Sequence, residues 1–326
     1  GNYKFLYLSP ERLQQDLVQQ RIKQMNVNLI AVDEAHCISQ WGHDFRPAYR
    51  DIKLLRKIHP TVNVIGLTAS ATSKVVDDIS DQLDCISPKI FKTSFERSNL
   101  AYLNLECHDK LKKTVQVLKK YSGTSIIYVK NRKTTLEISG YLNKIGISSS
   151  YYHGGLNIKE KETQFNHWVS NKNQVMVATN AFGMGIDKPD VRFVIHYDMP
   201  KSLESYYQET GRAGRDGGEG RCIAFYSHKD IDKLEKFLQG KPIAEQEVGM
   251  QLLQEVMAYA ETSNSRRKFL LHYFGEEFDE VNGPGAQNCD NSLNPPVLED
   301  RQEEAHLVLS AVLEHKNKHR MGFYTS

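Results

Sequence analysis

Two adjacent carboxylates, Asp33 and Glu34, follow an apolar run at 29–32 that indicates a buried strand. In an open parallel α/β sheet, ligands bind at the carboxyl ends of the strands. Asp33 in such a position could hold Mg²⁺ through water beside a nucleotide, and Glu34 could polarise the attacking water. Acids are also favoured in the first turn of an ordinary helix. The pair alone leaves both interpretations open.

The polar segment that follows carries a dense group of aromatic and cationic residues. Trp41, His43, Phe45 and Arg46 fall within six positions. Aromatic rings combined with cations are the equipment for stacking on single-stranded bases. Any one of these residues is more often a buried loop aromatic or a surface charge. Four of them close to an acid pair favour a nucleic-acid contact.

Composition sets the class of protein. The chain has 326 residues, 40% of them hydrophobic and 25% charged, which is ordinary for a soluble globular protein. Its net charge of +2 creates no overall basic field, so a DNA site would depend on local patches. The five scattered cysteines predict a reducing compartment. We expect a cytoplasmic protein, since no apolar run approaches ~18 residues and no signal peptide is visible.

Strand-like and helix-like runs alternate along most of the chain, which predicts an α/β fold with parallel sheets and right-handed crossovers. A polar stretch, Thr93–Asn99, is a plausible linker between two such sheets. Helical character dominates 233–274, and a last helix is expected at 299–316. Strands are predicted at 5–8, 29–32, 63–67, 125–129, 175–178, 193–196 and 222–226, and helices at 110–120, 134–144 and 159–168.

Two short segments in the first half are weaker signals. Ser9, after the run at 4–8, could contact a phosphate, although helix capping explains it equally well. The segment 67–72 ends a strand with small residues and hydroxyls, which could relay hydrogen bonds between an acid and a phosphate. The alternative is a strand–helix turn in which Thr72 or Ser73 caps the helix.

The second half carries stronger signals. In 175–187 a strand runs into a glycine-rich turn, where Thr179 and Gly185 could contact phosphate and Asp187 the nucleotide or ribose. A lone Gly-x-Gly is weak evidence. In 205–216, Gln208, Arg212 and Arg215 are spaced by four and three residues, which predicts that they share one helical face.

A guanidinium facing a γ-phosphate stabilises charge in phosphoryl transfer. Surface charge is the usual explanation for a pair of arginines such as Arg212 and Arg215. The whole string from 205 to 216 is more specific than either arginine alone.

These strings resemble motifs of superfamily 2 helicases, and two of them resemble the RecQ family of DNA helicases in particular. The resemblance assigns 33–36 to motif II, 67–72 to motif III, 175–187 to motif V and 205–216 to motif VI. RecQ is indicated by the aromatic loop at 40–47 and by the Arg-Arg and Tyr-Phe-Gly-Glu strings within 266–276. The resemblance extends from Lys4 to Tyr324.

The resemblance implies two RecA-like parallel-sheet motor domains, the first incomplete, then a small helical subdomain and the start of a winged helix at 321–324. The expected boundaries are 1–94, 95–240, 241–296 and 297–326.

It also implies an ATP-dependent 3′–5′ DNA helicase of repair or recombination that uses ATP and Mg²⁺ and binds single-stranded and forked DNA. A bacterial, nucleoid-associated location is a further implication of the resemblance. Two rivals stay open: a superfamily 2 RNA helicase and a non-catalytic nucleic-acid-binding module.

The resemblance also assigns roles to individual residues, with Asp33 as the Mg²⁺ ligand through water. The expected catalytic residues are Asp33, Glu34, His36, Gln208, Arg212 and Arg215; the nucleotide-binding residues are Asp33, Gly185, Asp187, Arg212 and Arg215; and the DNA-binding residues are Ser9, Trp41, His43, Phe45, Arg46, Lys130, Asn131, Arg132, His153 and Thr179.

The chain departs from the family in two places. It contains no Gly-x4-Gly-Lys-Ser/Thr phosphate loop. We therefore expect it to be the C-terminal part of a longer helicase and inactive as an ATPase by itself. A non-hydrolysing paralogue is the alternative that we do not favour, because motifs II, III, V and VI are intact.

The second departure concerns zinc. The family places cysteines where this chain has Ser265, Ala286, Cys289 and Ser292. One thiolate cannot form a closed tetrahedral zinc site, so zinc is not expected. Packing and hydrogen bonds from Ser265 and the 288–291 turn should hold the subdomain instead, with packing supplied by Phe269, Leu270, Tyr273 and Phe274.

Overall fold

The computed structural model describes residues 4–42, 44–183, 185–227, 235, 238–240 and 242–319. The chain divides into two units, 1–293 and 294–326, which are described separately. The first unit contains a first lobe (4–92), a linker (93–99), a second lobe (100–226) and a helical subdomain (242–293). Both lobes are built on parallel sheets, which confirms the predicted α/β class.

The first lobe holds a two-stranded parallel sheet of β1 (Leu29–Val32) and β2 (Asn63–Gly66), paired from Leu29↔Asn63 to Val32↔Gly66. Its α-helices are α1 (Asp16–Lys23), α2 (Lys53–Ile58) and α3 (Ser73–Gln82), and its 3-10 turns are Pro10–Gln14, Ala35–Ile38 and Pro47–Ile52.

The strand predicted at 5–8 is wrong. No strand in the described part of the chain pairs with these residues, and the side chains of Phe5 and Tyr7 are 79% and 88% exposed. A strand needs a neighbour to accept its ladder of hydrogen bonds, so an apolar run does not by itself form one.

The second lobe is a six-stranded parallel sheet in the order β3-β8-β7-β4-β6-β5. Two of its inner strands, β4 and β6, are buried along their whole length, as expected when helices cover both faces. The elements are β3 (Leu100–Glu106), α4 (Lys110–Lys120), β4 (Thr124–Tyr128), α5 (Arg132–Lys144), β5 (Ser149–Tyr152), α6 (Ile158–Val169), β6 (Val175–Ala178), β7 (Val191–His196), α7 (Leu203–Thr210) and β8 (Gly220–Tyr226).

Two strands of this sheet, β3 and β5, have no counterpart in the sequence prediction. Both lie at the edges of the sheet. Polar residues interrupt them, namely Asn104 in β3 and the pair Ser149–Ser150 in β5. Pairing with one buried neighbour forms these edge strands despite their weak local signal.

The helical subdomain consists of α8 (Ile243–Glu261), α9 (Arg266–Tyr273) and the short α10 (Asp290–Leu293). It packs through Leu253, Val256, Tyr259 and Leu270 into the hydrophobic core that lies on one face of the second sheet. This confirms the predicted helical character over the residues that the structure describes.

The second unit contains α11 (Gln302–His319), close to the predicted 299–316. The expected winged-helix opening at 321–324 lies outside the described residues. All five cysteines are free thiols. Within the described ranges, no helix is both long and apolar enough to cross a membrane.

Candidate nucleotide and nucleic-acid site

Asp33 and Glu34 lie directly after β1, at the carboxyl end of the first sheet. Glu34 has a left-handed backbone, with φ of +49°, and its N–H donates to Asp33 Oδ1 at 2.9 Å. A positive φ is uncommon outside glycine and often accompanies a functional site. Leu67 joins this turn to motif III, because its N–H donates to Val32 O (2.8 Å) and its carbonyl accepts from Ala35 N (2.9 Å).

His36 is a buried, neutral link between motifs II and III. Its Nδ1 lies 3.0 Å from Thr68 Oγ1 and 3.3 Å from Glu34 Oε2. Burial lowers the pKa of His36 to about 4, so the ring is uncharged near neutral pH. Burial first, and then the neighbouring charge of Asp33, raise the pKa of Glu34, and the positive charge of Arg212 opposes this rise. Glu34 is thereby suited to accept a proton.

A hydrogen-bonded path leads from this acid to the second lobe. Ser70 N–H approaches Thr68 Oγ1 at 3.4 Å, and Gln208 Nε2 of α7 donates to Ser70 Oγ at 2.7 Å. Motifs II, III and VI are therefore in contact in this structure. Thr72 occupies the N-cap position of α3, but its side chain makes no capping hydrogen bond.

The prediction that Gln208, Arg212 and Arg215 share one helical face is wrong. Helix α7 ends at Thr210, and the following residues form turns. Gly214 has φ of +57°, and a Cβ there would lie 2.5 Å from Gly218 O, so the chain cannot continue as a helix.

The two arginines of motif VI face different surroundings. Arg212 is buried beside the glycine turn of motif V, where a Cβ at Gly183 would lie 3.6 Å from its Nη2, and its Nε has no hydrogen-bond partner among the described residues. Arg215 is more exposed and donates from Nη1 to Ile186 O (2.9 Å) and Asp187 Oδ1 (3.1 Å). Next to them, Gly185 has φ of +77°.

The linker holds the motif VI turn, a role that the sequence analysis missed. Arg97 donates to the carbonyls of Gly211, Ala213 and Gly214, and Asn99 Nδ2 donates to Gly214 O at 2.8 Å. Two polar residues in a linker carry no sequence signal of a partner more than 100 residues away.

A second cluster lies at the carboxyl ends of β4 and β6. An open cleft of about 480 Å³ is lined by Lys130, Asn131, Arg132, Gly154, Thr179, Asn180 and Ala181. Asn131 caps α5 by accepting from Thr134 N at 2.9 Å. His153, beside Gly154, is 8% exposed, and its Nδ1 has no partner among the described residues. Cations at a helix N-terminus suit a phosphate backbone.

The aromatic loop lies in the first lobe. Lys74 Nζ sits 3.2 Å from the centre of the Trp41 ring, and the Arg50 guanidinium sits 4.9 Å from that of Phe45. Arg46 pairs with Asp44 at 2.8 Å. Both aromatic rings are thus already in contact with a cation.

Two other expected DNA contacts have less support. His43 lies outside the described residues. Ser9 does not line the cleft; it precedes the Pro10–Gln14 turn and makes no side-chain capping bond there.

The acid turn can accommodate Mg²⁺. Asp33 is exposed, and only one of its oxygens receives the Glu34 N–H. Mg²⁺ is usually held by one or two carboxylates together with water and substrate phosphates. Asp33 therefore fits a water-mediated ligand, although the described residues contain no cluster of three or more metal-binding side chains.

Comparison with known families agrees with this arrangement. Three family models match: "DEAD/DEAH box helicase" at 1–79, "Helicase conserved C-terminal domain" at 109–217 and "RecQ zinc-binding" at 228–293. The ATP-dependent DNA helicase RecQ of Bacillus subtilis is 38% identical over 98% of this chain and 54% of its own length. The RecQ-like DNA helicase blm-1 of Caenorhabditis elegans is 42% identical over 92% of this chain and 31% of its own length.

The chain thus spans about half the length, or less, of these curated relatives. Among solved structures, Saccharomyces cerevisiae Dbp5 bound to RNA and ADP BeF3 superposes with a TM-score of 0.55 at 20% identity, covering 74% of this chain and 66% of Dbp5. That likeness establishes the RecA-like helicase fold. The family models and the RecQ relatives lead to one conclusion: this chain belongs to the RecQ family of helicases.

Proposed function

We propose that this chain forms the larger part of the motor of an ATP-dependent 3′–5′ DNA helicase of RecQ type. The observation that supports it most is the path from Glu34 through His36, Thr68 and Ser70 to Gln208. Such a path lets a change at the nucleotide alter the contact between the two lobes. Helicases of this family use ATP and Mg²⁺.

In this proposal each acid has one task. Asp33 would hold Mg²⁺ through water, and the bound ion would supply neutralisation of charge on the phosphates. Glu34 orients the attacking water and accepts its proton, which its raised pKa favours. His36 stays neutral and holds Glu34 in place.

The motif VI side chains act on the nucleotide from the second lobe. Arg212 is buried, its Nε is unpaired among the described residues, and its positive charge lowers the pKa of Glu34. Arg215 has to exchange Asp187 for phosphate when the nucleotide binds. Gly185 allows the backbone of motif V to adopt a turn that other residues rarely adopt.

DNA is proposed to contact both lobes. The cleft formed by Lys130, Asn131, Arg132 and Thr179, with His153 beside it, takes backbone phosphates of a single strand or a fork. In the first lobe, Trp41 and Phe45 contact a base of the DNA. The boundaries 1–94, 95–240, 241–296 and 297–326 and a nucleoid-associated location belong to the same proposal.

The first test uses the chain itself. We expect residues 1–326 to bind fluorescent oligo-dT with strong salt dependence and to hydrolyse no ATP, because the sequence has no Gly-x4-Gly-Lys-Ser/Thr. DNA-stimulated hydrolysis by this chain that Glu34→Gln abolishes would contradict the second expectation. Binding of oligo-U as tight as that of oligo-dT would favour an RNA helicase.

The second test uses the complete gene product. Gln208→Ala removes the lobe-to-lobe hydrogen bond and should reduce DNA-stimulated ATP turnover far more than DNA affinity. Gln20→Ala, which alters an exposed residue of α1, is the matched control. A complete protein that binds DNA but shows no stimulated hydrolysis would instead be a non-catalytic binding module.

A further inference from the structure

The helical subdomain matches a family model described as zinc-binding, yet its residues do not fit zinc. Ser265, Cys289 and Ser292 do converge, since Cys289 Sγ lies 3.9 Å from Ser265 Oγ and 3.0 Å from Ser292 Oγ. The fourth position is the buried methyl of Ala286. Structural zinc needs four thiolate or imidazole ligands. One thiol, two hydroxyls and a methyl do not supply them.

No other ligand set stands in for the missing one. Across the described residues, no group of three or more His, Cys, Asp or Glu side chains could hold a metal ion. His272 of α9 is exposed. Asp290, next to Cys289 in the sequence, is already engaged by a guanidinium and a backbone N–H, and Glu280, which accepts from Ser265 N–H, is paired with Lys268.

An arginine lies at the centre of the contacts that hold the three helices of the subdomain together. Arg266 has a side chain that is only 6% exposed, and it pairs with both oxygens of Asp290 at 3.0 and 3.2 Å. Its Nη1 donates to Ala260 O (3.1 Å) and also to Tyr259 O, at the end of α8. A bidentate arginine–carboxylate pair is both directional and strong. It ties α8, α9 and α10 together, as a metal would.

Asn291 completes the polar closure. Its Nδ2 donates to Thr262 O (2.7 Å) and Asn264 O (2.8 Å), and its Oδ1 accepts from Arg266 Nη2 at 3.3 Å. The loop between α8 and α9 is thereby fixed to α10. The buried thiol of Cys289 receives Ser292 N–H at 3.3 Å, so it too has a partner.

The same carboxylate joins the subdomain to the motor. Asp290 Oδ2 accepts from Asn104 N of β3 at 3.0 Å, and Tyr102 N donates to Asn288 O at 3.0 Å. A buried ion pair contributes to stability only when its remaining hydrogen-bond donors and acceptors also have partners. The contacts of Arg266 and Asp290 meet that condition.

We propose that this subdomain has lost the zinc site of its family and is held without metal by a clamp made of Arg266, Asp290 and Asn291 around the Cys289 thiol. The subdomain neither needs zinc to fold nor takes it up. The joint between motor and subdomain is consequently insensitive to chelators. This inference concerns the fold of the chain and does not depend on the proposed helicase activity.

Metal content and melting test the proposal on the chain itself. Protein expressed in zinc-supplemented medium should contain far less than one zinc per chain by elemental analysis, and a strong chelator should leave its melting temperature unchanged. Stoichiometric zinc, or a melting temperature that falls with chelator, would overturn the proposal.

Two sets of variants sharpen the test. Asp290→Asn should lower the melting temperature, whereas the control Asp77→Asn, at an exposed position, should not. Equal melting temperatures of the two variants would refute the clamp. The triple variant Ser265→Cys, Ala286→Cys and Ser292→Cys should gain one zinc per chain and become chelator-sensitive. A folded triple variant that binds no zinc would contradict the convergence of these positions. If it does not fold, the wild-type zinc content and Asp290→Asn still decide.

Discussion

Arg97 should control the shape of the motif VI turn. Its guanidinium donates to Gly211 O (3.3 Å), Ala213 O (3.0 Å) and Gly214 O (3.1 Å), and its own carbonyl accepts from Arg267 Nη1 at 2.7 Å. The linker side chain therefore lies between the helical subdomain and the turn that carries Arg212 and Arg215. Arg97→Ala would remove all three bonds to the turn and leave the backbone bond to Arg267.

The three lost bonds are not equivalent. Gly214 O keeps a bond from Asn99, and Gly211 is partly exposed, so that water can replace the guanidinium there. Ala213 is fully buried, and its carbonyl would be left without this donor. An unsatisfied buried acceptor costs about 1–3 kcal/mol, and a bond from a charged donor contributes about 1.5–3 kcal/mol. We expect Arg97→Ala to lower the free energy of unfolding by about 2–3 kcal/mol.

Urea unfolding followed by tryptophan fluorescence would measure this loss. Trp168 is fully buried in the second lobe and donates from Nε1 to Ser125 O at 3.1 Å, so it reports on that lobe. A Trp41→Phe background removes the other tryptophan. Arg97→Lys should recover part of the stability, and Arg301→Ala, at an exposed site in the second unit, should change little. A loss below about 0.5 kcal/mol for Arg97→Ala, the size of an ordinary surface substitution, would refute the reasoning.

Three further predictions concern single side chains. Trp41→Ala should weaken oligo-dT binding, measured by anisotropy, about tenfold, since stacking contributes ~1–3 kcal/mol per base. In the complete protein the same change should reduce DNA stimulation of ATP turnover far more than it reduces DNA binding. Equal losses of binding and of stimulated turnover would argue against coupling. Arg215→Ala in the complete protein should lower turnover by ~10³-fold or more while nucleotide affinity changes little, and unchanged turnover would reassign Arg215 to its structural pair with Asp187. Burial raises the pKa of Glu204, which accepts a hydrogen bond from Tyr273 Oη at 2.8 Å. The native state therefore keeps a proton that the unfolded chain releases above its ordinary pKa of 4.5. This contribution to stability is present at low pH and is lost as pH rises through the folded pKa. Glu204→Gln should therefore flatten the fall in stability with rising pH in urea unfolding, and parallel pH profiles for the two proteins would contradict this.

The sequence was informative where local pattern and burial agree. The strand at 175–178 and the helix at 110–120 are found with their predicted bounds, because a continuous apolar run or amphipathic periodicity determines them. The strand at 29–32 also has its predicted bounds, but only Ile30 and Val32 are buried, so the prediction that the whole run is buried is wrong. The edge strands β3 and β5 escaped prediction because pairing with a neighbour, and not composition, forms them. The strand predicted at 5–8 is absent for the converse reason: its composition is apolar, but no described strand pairs with it.

Prediction of the site was limited in a similar way. The family resemblance assigned Glu34, His36 and Gln208 to one site, and the structure links them through a chain of contacts. The spacing within 205–216, by contrast, predicts a shared face only if the helix is regular. The positive φ of Gly214 and the donors of the linker bend motif VI out of a helix, which places Arg212 and Arg215 in different surroundings. Likewise, the contact of Lys74 with Trp41 joins residues 33 positions apart that no local pattern connects.

The pairing of β3 has a consequence for synthesis and folding. Among the described strands of the second sheet, this first strand has one neighbour, the last strand β8, with which it pairs from Leu100↔Gly220 onward. On a growing chain it therefore has no ladder partner until some 120 later residues have been made, which follows from the register itself. Arg267 then closes on Arg97 O and Leu100 O across separations of 170 and 167 residues. Such non-local contacts form slowly, because the loop entropy is lost before the contact is gained. The second sheet should thus remain open at one edge during translation, and the helical subdomain should dock last.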